Sequence, residues 1–457
     1  MTTVRSDRRE RLLKLIPGGA HTYSRGFDVY PANAPDLMAR GSGCRAWDAD
    51  GREFIDLGMA LASVNIGYAE QEIDEAAIEQ IRRGNTASRP SKIELEAAER
   101  FVEVIDSADM VKFTKNGSTA VTAAVKLARA HTGRIRIARC RQHPFFSYDD
   151  WFIGSTQITR GIPDETIQNT VLFDYNDLPS LEQLVKSHPN DIACVVMEPV
   201  TTMIPDGLDV KDDGVLPLLC RSDLEQNNHH FVHDVQAFCR DHGIVFILDE
   251  MLTGFRWNLH GAQRMLGLEP DLCTFGKAMA NGYSVACVGG RREIMEQGSI
   301  EFEGRERVFL LSTTHGAEMS SLGAFVATTR FIEREPVTEG LWDKGERLVR
   351  LFRQKAAEAG VADHVIAGGQ ACRPGFMVLD QEAKPCQGLL SLLMQEMITE
   401  GVLPGGMNVC HRLDEEAYER IGAALDKAMP VLAQGVRDGF DSLLRGSPVK
   451  PVFRRYN

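Results

Sequence analysis

The sequence predicts an α/β fold with a large domain built on a mainly parallel sheet and a smaller α+β domain after it. From Val111 onward, short apolar runs alternate with amphipathic helical patterns, which is typical of a parallel sheet covered by helices. After about residue 320, long helical patterns surround one strand-like run at 375–379. We therefore expect an N-terminal segment over 1–65, a large domain over 66–320 and a small C-terminal domain over 321–457.

The individual elements follow from local patterns. A short amphipathic helix near 12–16 ends at Pro17-Gly18-Gly19, and the Asp-Gly turn within 44–56 predicts a hairpin. Two helices precede the sheet, and we place Ile93, Leu95 and Ala98 on the inner face of the second. The predicted strands of the sheet begin at Val111 and continue at 135–138, 171–173, 192–197 and 244–248. The predicted helices of the small domain lie near 319–334, 341–359, 389–400 and 414–444.

Composition excludes several functional classes. The chain has 64 acidic and 51 basic residues and a net charge of -13, which argues against binding to nucleic acid or to anionic membranes. It contains neither a signal peptide pattern nor an apolar run of membrane-spanning length, so we expect a cytoplasmic protein that binds small molecules. The ten cysteines are scattered without paired spacing, which predicts neither disulfides nor a metal site.

The stretch from Ile244 to Lys277 carries the strongest chemical signal. Ile244 to Leu248 is an unbroken apolar run, typical of a strand buried on both faces, and Asp249 follows it. Ligands of open α/β sheets bind at the carboxyl ends of the strands, so Asp249 is placed for chemistry. Lys277 lies among small and apolar residues, which favour the free amine that a Schiff base requires.

A second constellation surrounds Gly117 and Ser118. In Asn116-Gly117-Ser118-Thr119, a strand ends and an Ala-rich helix over 120–130 begins. Helix N-termini bind phosphate through free N–H groups and the positive end of the dipole. The same residues also fit an ordinary helix N-cap without a ligand, and the sequence leaves both interpretations open.

Three segments together carry a resemblance to a known family: IVFILDEMLTGFR, CTFGKAMANGY and STTHGAE. They resemble the class III aminotransferases, which are pyridoxal 5'-phosphate enzymes of fold type I. Within that class the chain is most similar to the glutamate-1-semialdehyde 2,1-aminomutase group, including the opening loop PGGAHTYSR. The resemblance extends over nearly the whole chain.

The resemblance implies roles for the two strongest candidates. Asp249 would pair with the protonated pyridine nitrogen, and Lys277 would bind the cofactor as a Schiff base and move the substrate proton. Gly117 and Ser118 would hold the cofactor phosphate. Thr313, with Thr314 as the alternative, would reach that phosphate from the neighbouring subunit of a homodimer, although a solvated loop is also compatible with these threonines.

Further assignments, of Glu198, of Phe145 or Phe146 and of Arg25, come from the same resemblance, and Trp151 is a candidate because it is an aromatic residue near a strand end. Glu198 matches an active-site glutamate, with a structural salt bridge as the alternative. Phe145 or Phe146 would stack on the cofactor, although relatives carry an aromatic-His-Gly element there. Trp151 would line the substrate pocket or belong to the core. Arg25 would grip a substrate carboxylate, the alternative being a surface arginine.

Departures from the family affect the substrate and leave the cofactor chemistry intact. Thr119 stands where relatives often place glutamate, Ala317-Glu318 replaces a common Asn-Pro, and segment 404–409 lacks residues expected of a true aminomutase. We therefore expect an aminotransferase that moves an amino group from a donor such as glutamate to a carboxylate-bearing keto acceptor in a biosynthetic pathway, with a cyclic keto acid as one candidate. A keto sugar is a further acceptor class, and the alternative reaction is that of the aminomutase. His229, His230 and His233 have helical spacing but no third ligand pattern, so we assign them no metal.

Overall fold

The computed structural model describes residues 2–201, 203–210, 216–225, 229–316 and 318–457, and for residues 2–6 the backbone only. The segment 201–228 is rich in Pro, Gly and charged residues, which predicts a long loop of the kind that often forms a lid or substrate wall, and its residues 202, 211–215 and 226–228 lie outside this description. Among the described residues, no helix is both long enough and apolar enough to cross a membrane.

The described residues form fourteen strands. They are β1 (Met38–Ser42), β2 (Arg45–Asp48), β3 (Glu53–Asp56), β4 (Met110–Thr114), β5 (Arg136–Cys140), β6 (Thr170–Phe173), β7 (Ile192–Met197), β8 (Leu218–Leu219), β9 (Val245–Asp249), β10 (Leu272–Phe275), β11 (Ala286–Gly290), β12 (Val365–Gln370), β13 (Arg373–Val378) and β14 (Val402–Leu403).

Sixteen helical segments accompany them in the described part of the chain. They are α1 (Thr2–Leu15), α2 (Met59–Ala62), α3 (Gln71–Arg82), α4 (Lys92–Val104), α5 (Gly117–Thr132), α6 (Asp150–Ile153), α7 (Asp164–Ile167), α8 (Leu178–Ser187), α9 (Arg221–Leu224), α10 (Phe231–Asp241), α11 (Gly261–Leu266), α12 (Arg292–Met295), α13 (Met319–Arg334), α14 (Val337–Glu358), α15 (Gln387–Thr399) and α16 (Glu415–Asp438). Short 3-10 turns lie at Pro17–Gly19, Tyr23–Arg25, Lys277–Ala280 and Glu296–Gly298.

The chain divides into two compact units. The first unit comprises Met1–Glu70, Asp212–Cys220 and Gly340–Asn457, and the second comprises Gln71–Lys211 and Arg221–Glu339. Each unit has its own sheet or sheets, so each is described separately below.

The second unit contains a seven-stranded sheet in the order β4-β11-β10-β9-β7-β5-β6. The pairs from β10 through β9, β7 and β5 to β6 are parallel, and β11 runs antiparallel to both β10 and β4. The mainly parallel α/β fold that the sequence predicts is confirmed. All five predicted strands of this sheet form, as β4, β5, β6, β7 and β9.

The first unit contains two smaller sheets. One has the order β1-β2-β3-β14, and its β2–β3 hairpin is the one that the Asp-Gly turn predicts. The other has the order β13-β12-β8, with β8 contributed by the short insertion at 212–220. Phe54 of β3, Ile398 of α15 and Leu403 of β14 form a core cluster, against which Tyr30 packs.

One predicted helix face is wrong. On α4, Leu95 is 63% exposed and Ala98 is only partly buried, whereas Ile93, Ala97, Phe101 and Val104 are buried. The inner face of α4 is therefore rotated by about one residue from the prediction. Buried Arg100 completes that face by donating to the Thr329 side chain of α13 over 3.1 Å, a polar position that an apolar pattern does not identify.

Candidate active site

The predicted cofactor residues of the second unit lie at the ends of neighbouring strands. Asp249 is the last residue of β9, Lys277 follows β10, and Glu198 follows β7. Gly117 begins α5, three residues after the end of β4. Because β7, β9 and β10 are adjacent and parallel, their carboxyl ends meet at one edge of the sheet.

Asp249 is a buried carboxyl group. It is 1% exposed, and its Oδ1 accepts a hydrogen bond of 2.8 Å from the Met251 backbone N–H. Burial raises the pKa of Asp249 to about 7, while the Met251 amide, the nearby Lys277 amine and the Thr274 side chain partly oppose that shift. A cation placed against this carboxyl group would restore its ionised form near neutral pH.

Glu250 has a separate, structural role. Successive side chains of a strand point to opposite faces, so Glu250 points away from Asp249. It is fully buried and accepts the backbone N–H groups of Ala262 over 2.9 Å and of Gln263 over 2.8 Å, at the start of α11. Of the two adjacent acids, only Asp249 is thus available to a ligand at the sheet edge.

Lys277 is held in an unusual backbone conformation. Its φ angle is +42°, in the left-handed region that non-glycine residues adopt at a cost of about 1–3 kcal/mol. The strain coincides with the sharp turn from β10 into the short 3-10 segment Lys277–Ala280. The half-buried side chain is close enough to Asp249 to stabilise its carboxylate.

Met251 packs between Gly117, at the start of α5, and Gly276, which directly precedes Lys277. A Cβ atom on Gly117 would lie 2.7 Å from the Met251 sulfur, and one on Gly276 would lie 2.6 Å from the same atom. Met251 is buried in a cluster with Ala120 and Ala286. It therefore connects the start of α5 to the Lys277 turn, a role that the sequence analysis missed.

The start of α5 has the features of an anion site. Asn116 caps the helix, with its Oδ1 accepting the Thr119 backbone N–H over 3.0 Å. The backbone N–H groups of Gly117 and Ser118 have no hydrogen-bond acceptor among the residues that the structure describes. Helix capping and phosphate binding are therefore compatible, because Asn116 accepts from the Thr119 amide only and the amides of Gly117 and Ser118 remain for an anion.

The segment 143–151 is fastened to α5. The Tyr148 backbone N–H donates to Ser118 Oγ over 3.1 Å, the Ser147 and Thr122 hydroxyl oxygens lie 3.1 Å apart, and the Trp151 indole donates to Thr122 Oγ1 over 2.9 Å. Trp151 is buried against Phe152, which favours the core alternative for this residue. The polar anchors Thr122 and Ser147 carried no signal in the sequence beyond their residue type.

The two candidate stacking rings differ in exposure. Phe145 is 43% exposed, whereas Phe146 is 2% exposed and packs edge-on against His143 and Phe152. His143 is itself buried, and burial lowers its pKa to about 3, so the ring is neutral. Only Phe145 presents a ring that a flat ligand can reach from solvent.

The remaining candidates lie in different settings. Glu198 is buried beside the ends of β7 and β9, while Thr313 and Thr314 are exposed in the segment before α13. Arg25 belongs to the first unit, is exposed, and ends the short turn Tyr23–Arg25. The structure thus brings Asp249, Lys277, Glu198 and the start of α5 to one sheet edge of the second unit, whereas Arg25 belongs to the first unit.

The three histidines near α10 stack on one another. The His230 and His233 ring centroids are 4.0 Å apart, and His229 Nε2 lies 2.5 Å from Asp234 Oδ1. Among the described residues, no group of three or more histidine, cysteine or acidic side chains is arranged to hold a metal ion.

The residues at the sheet edge fit the cofactor that the resemblance implies. A buried carboxyl group suits a protonated pyridine nitrogen, a lysine amine suits an aldehyde, and two amides at a helix start suit a phosphate. The exposed face of Phe145 suits an aromatic ring. Each group has a chemical partner in pyridoxal 5'-phosphate.

Comparisons with known proteins agree with this geometry. The family model described as aminotransferase class-III matches residues 29–204 and 224–412. The 3-aminobutyryl-CoA aminotransferase of Cloacimonas acidaminovorans is 31% identical over 77% of this chain and 78% of its own. A glutamate-1-semialdehyde 2,1-aminomutase of Methanothermobacter thermautotrophicus is 36% identical over 63% of this chain and 64% of its own.

Solved structures share the fold across nearly the whole chain. The pyridoxal phosphate internal aldimine form of the FumI protein from a Sphingopyxis species superposes with a TM-score of 0.81 at 27% identity, covering 98% of this chain and 99% of that one. These matches confirm the fold type, the pyridoxal phosphate cofactor and the transaminase activity predicted above. The chain belongs to the class III aminotransferase family.

Proposed function

We propose that this protein transfers an amino group from a donor such as glutamate to a carboxylate-bearing keto acceptor, with cyclic keto acids among the candidates, in a cytoplasmic biosynthetic pathway. The observation that carries the proposal is the grouping of Asp249, Lys277 and the α5 N-terminus in one unit. Bound pyridoxal phosphate supplies an electron sink for the substrate carbon next to the amino nitrogen.

Asp249 and Lys277 perform the two central tasks. The Asp249 carboxylate holds a proton on the pyridine nitrogen, because a buried anion without a cation is costly. With the cofactor bound, the Lys277 amine would be the group that takes the proton from the substrate carbon and returns it on the cofactor side. Its strained turn and the Met251 contact fix the position of that amine.

The surrounding residues orient the ring and exclude water. The amides of Gly117 and Ser118 bind the phosphate oxygens, and Phe145 covers one ring face. Phe146 supports Phe145 from the core, since both pack against Phe152. Glu198 lies buried at the end of β7, the strand beside that of Asp249, and would be one of the residues that hold the cofactor.

Acceptor choice rests on Arg25. Among the described residues, the Arg25 side chain makes no hydrogen bond or ion pair, so its planar guanidinium is available to a carboxylate. A double amino–carbonyl exchange within one molecule, as in the aminomutase, is the second candidate reaction. The 36% identity to a glutamate-1-semialdehyde 2,1-aminomutase is the observation that favours it.

A homodimer is part of the proposal, with Thr313 or Thr314 reaching the phosphate of the partner's cofactor. The support is an exposed apolar segment just before these threonines. Ile300 is 84% exposed, Phe302 43% and Phe309 66%. Exposed side chains of this size, close together along the chain, mark association surfaces.

Replacement of Asp249 by asparagine tests the buried charge. Burial raises the pKa of Asp249 in the folded protein, so the folded state binds more protons than the unfolded state between about pH 4 and pH 7. The free energy of unfolding therefore falls as the pH rises through this range. Asp249→Asn removes that cost, on the order of 4 kcal/mol. We expect the cofactor-free variant to melt at a higher temperature than cofactor-free wild type at pH 8, but not at pH 4.5. An equal difference at both pH values would contradict the assignment.

A panel of acceptors tests the reaction and Arg25 together. The pyridoxamine form of the enzyme is mixed with succinic semialdehyde, 3-oxocyclohexane-1-carboxylate, butanal and glutamate-1-semialdehyde, and the return of the aldehyde cofactor is followed by absorbance. We expect the carboxylate-bearing acceptors to react, and Arg25→Ala to raise their KM about 30-fold with the glutamate half-reaction unchanged. A response to glutamate-1-semialdehyde alone would favour the aminomutase, and equal effects on both half-reactions would remove Arg25 from acceptor recognition.

A surface variant tests the homodimer. Phe309→Glu places a charge on the exposed segment, and we expect a monomer that binds pyridoxal phosphate more weakly than wild type. Ile135→Glu, at a position that is 55% exposed beside β5, is the matched control and should stay dimeric. Mass measurement by light scattering distinguishes these states. An unchanged dimer with the Phe309 variant would exclude this segment from the interface.

A further inference from the structure

The loop that bears Arg25 is held from two sides. On one side, Phe27 packs on Gly19, where an added Cβ would lie 2.6 Å from the ring, and the Arg9 guanidinium lies 4.9 Å from the same ring. Inside the loop, the N–H of Gly26 donates to the Tyr23 carbonyl over 2.9 Å and that of Val29 donates to the Gly26 carbonyl over 3.3 Å. The backbone on either side of Gly26 is therefore ordered by local contacts.

On the other side, the loop is contacted by the segment 445–454, which follows α16. We term this segment the strap, and its contacts with the loop are at Asp28. The Lys450 backbone N–H donates to the Asp28 carbonyl over 2.7 Å, and the Arg454 guanidinium forms an ion pair with the Asp28 carboxylate. These contacts use both the backbone and the side chain of one residue. Asp28 lies three positions after Arg25, so the strap holds the exit of the loop.

The strap is itself anchored to the core of the first unit. The Val449 backbone N–H donates to Ser391 Oγ of α15 over 2.8 Å, and the Val449 side chain is buried. The Arg445 backbone N–H donates to Gln395 Oε1 of the same helix over 2.7 Å. A rigid helix is thereby connected to the Arg25 loop through the strap.

Asp56, an acidic group on which the charge of Arg25 acts, forms no ion pair with it among the described residues. Asp56 accepts the Tyr68 hydroxyl over 2.7 Å and the backbone N–H groups of Gly58 over 2.7 Å and Met59 over 3.3 Å. Its oxygens are thus already bonded, and the charge of Arg25 acts on it only at longer range. The backbone of the loop is fixed, while the N–H groups of the Arg25 guanidinium remain available. This is the arrangement of a preorganised anion-binding site.

We propose that the strap positions Arg25 for the acceptor carboxylate, with the Asp28–Arg454 ion pair and the Lys450–Asp28 hydrogen bond as its points of action. The proposal rests on the acceptor role of Arg25 given above. Arg454 is a positioning residue, since it contacts Asp28 and acts on substrate only through the loop. Loss of the ion pair leaves Arg25 present but spread over more conformations, which weakens acceptor binding and spares the donor half-reaction.

The test compares Arg454→Ala, Arg454→Lys and Asp28→Asn with Arg455→Ala as the matched control. Arg455 is the adjacent arginine and packs on Tyr456. Succinic semialdehyde is the carboxylate-bearing probe, and butanal is its counterpart without a carboxylate. We expect Arg454→Ala and Asp28→Asn to raise the KM for succinic semialdehyde about 5-fold, with kcat, the butanal KM and the glutamate half-reaction unchanged.

Three further readouts separate positioning from general destabilisation. Hydrogen exchange of the peptide spanning 22–30 should accelerate in Arg454→Ala and not in Arg455→Ala. Arg454→Lys should restore the KM to within about 2-fold of wild type, because a lysine retains the ion pair. The double variant with Arg25→Ala should be no worse than Arg25→Ala alone, since both changes act through one residue.

The outcomes distinguish this inference from the proposed function. If Arg25→Ala raises the acceptor KM but Arg454→Ala matches the Arg455 control, the strap has no positioning role and the acceptor role of Arg25 stands. The positioning role of the strap would also be contradicted if the two substitutions raised the acceptor KM multiplicatively in the double variant. Equal effects of Arg454→Ala on the donor and acceptor half-reactions would contradict it as well. If Arg25→Ala itself leaves the acceptor KM unchanged, the acceptor role fails and the strap inference fails with it.

Discussion

The burial of one carboxyl group, Asp249, governs the rest of the candidate site. A carboxylate removed from water at the end of a central strand is unfavourable unless a cation or several donors face it. The fold supplies one amide, one threonine and the nearby Lys277, and the pKa of Asp249 still stays near 7 because burial dominates. A bound cation would supply the remaining stabilisation of the ionised form, and a protonated pyridine nitrogen has the right charge and shape.

The sheet topology explains why that carboxyl group lies beside a lysine. Asp249 and Lys277 are 28 positions apart in sequence, yet β9 and β10 are adjacent and parallel, with Asp249 aligned to Thr274. Antiparallel β11 separates β10 from β4, and Met251 spans that gap by packing against Gly117 and Gly276. One flexible side chain thus lies between the Lys277 turn and the start of α5, where the candidate phosphate-binding amides are.

Much of this arrangement was predictable from sequence, because buried parallel strands leave long apolar runs and their ends carry polar residues. The five apolar strands, the hairpin and the long helices were found in this way. Strands β10 and β11 were not recognised as such, because Leu272–Phe275 is short and Ala286–Gly290 ends in two glycines. Leu95 was placed inward because a leucine at helical spacing resembles a core residue, although Arg100 takes part in the buried face.

The parts of the site that sequence did not reveal depend on contacts between distant residues. Met251 resembles any core methionine, and Thr122 and Ser147 resemble any polar pair until the chain brings them within 3.1 Å. The strap around Asp28 is of the same kind, since Arg454 is 426 positions away in sequence. Such long-range pairs leave no periodic pattern, and only the folded coordinates identify them.

The most direct measurement of the central claim is the position of a covalent cofactor label. The protein is reconstituted with pyridoxal 5'-phosphate, reduced with borohydride, digested and analysed by peptide mass spectrometry, with Asp249→Asn treated in parallel. The account predicts a phosphopyridoxyl group on Lys277, and in Asp249→Asn a label on the same lysine at lower cofactor occupancy. A label on another lysine, or occupancy that is indifferent to Asp249, would contradict it.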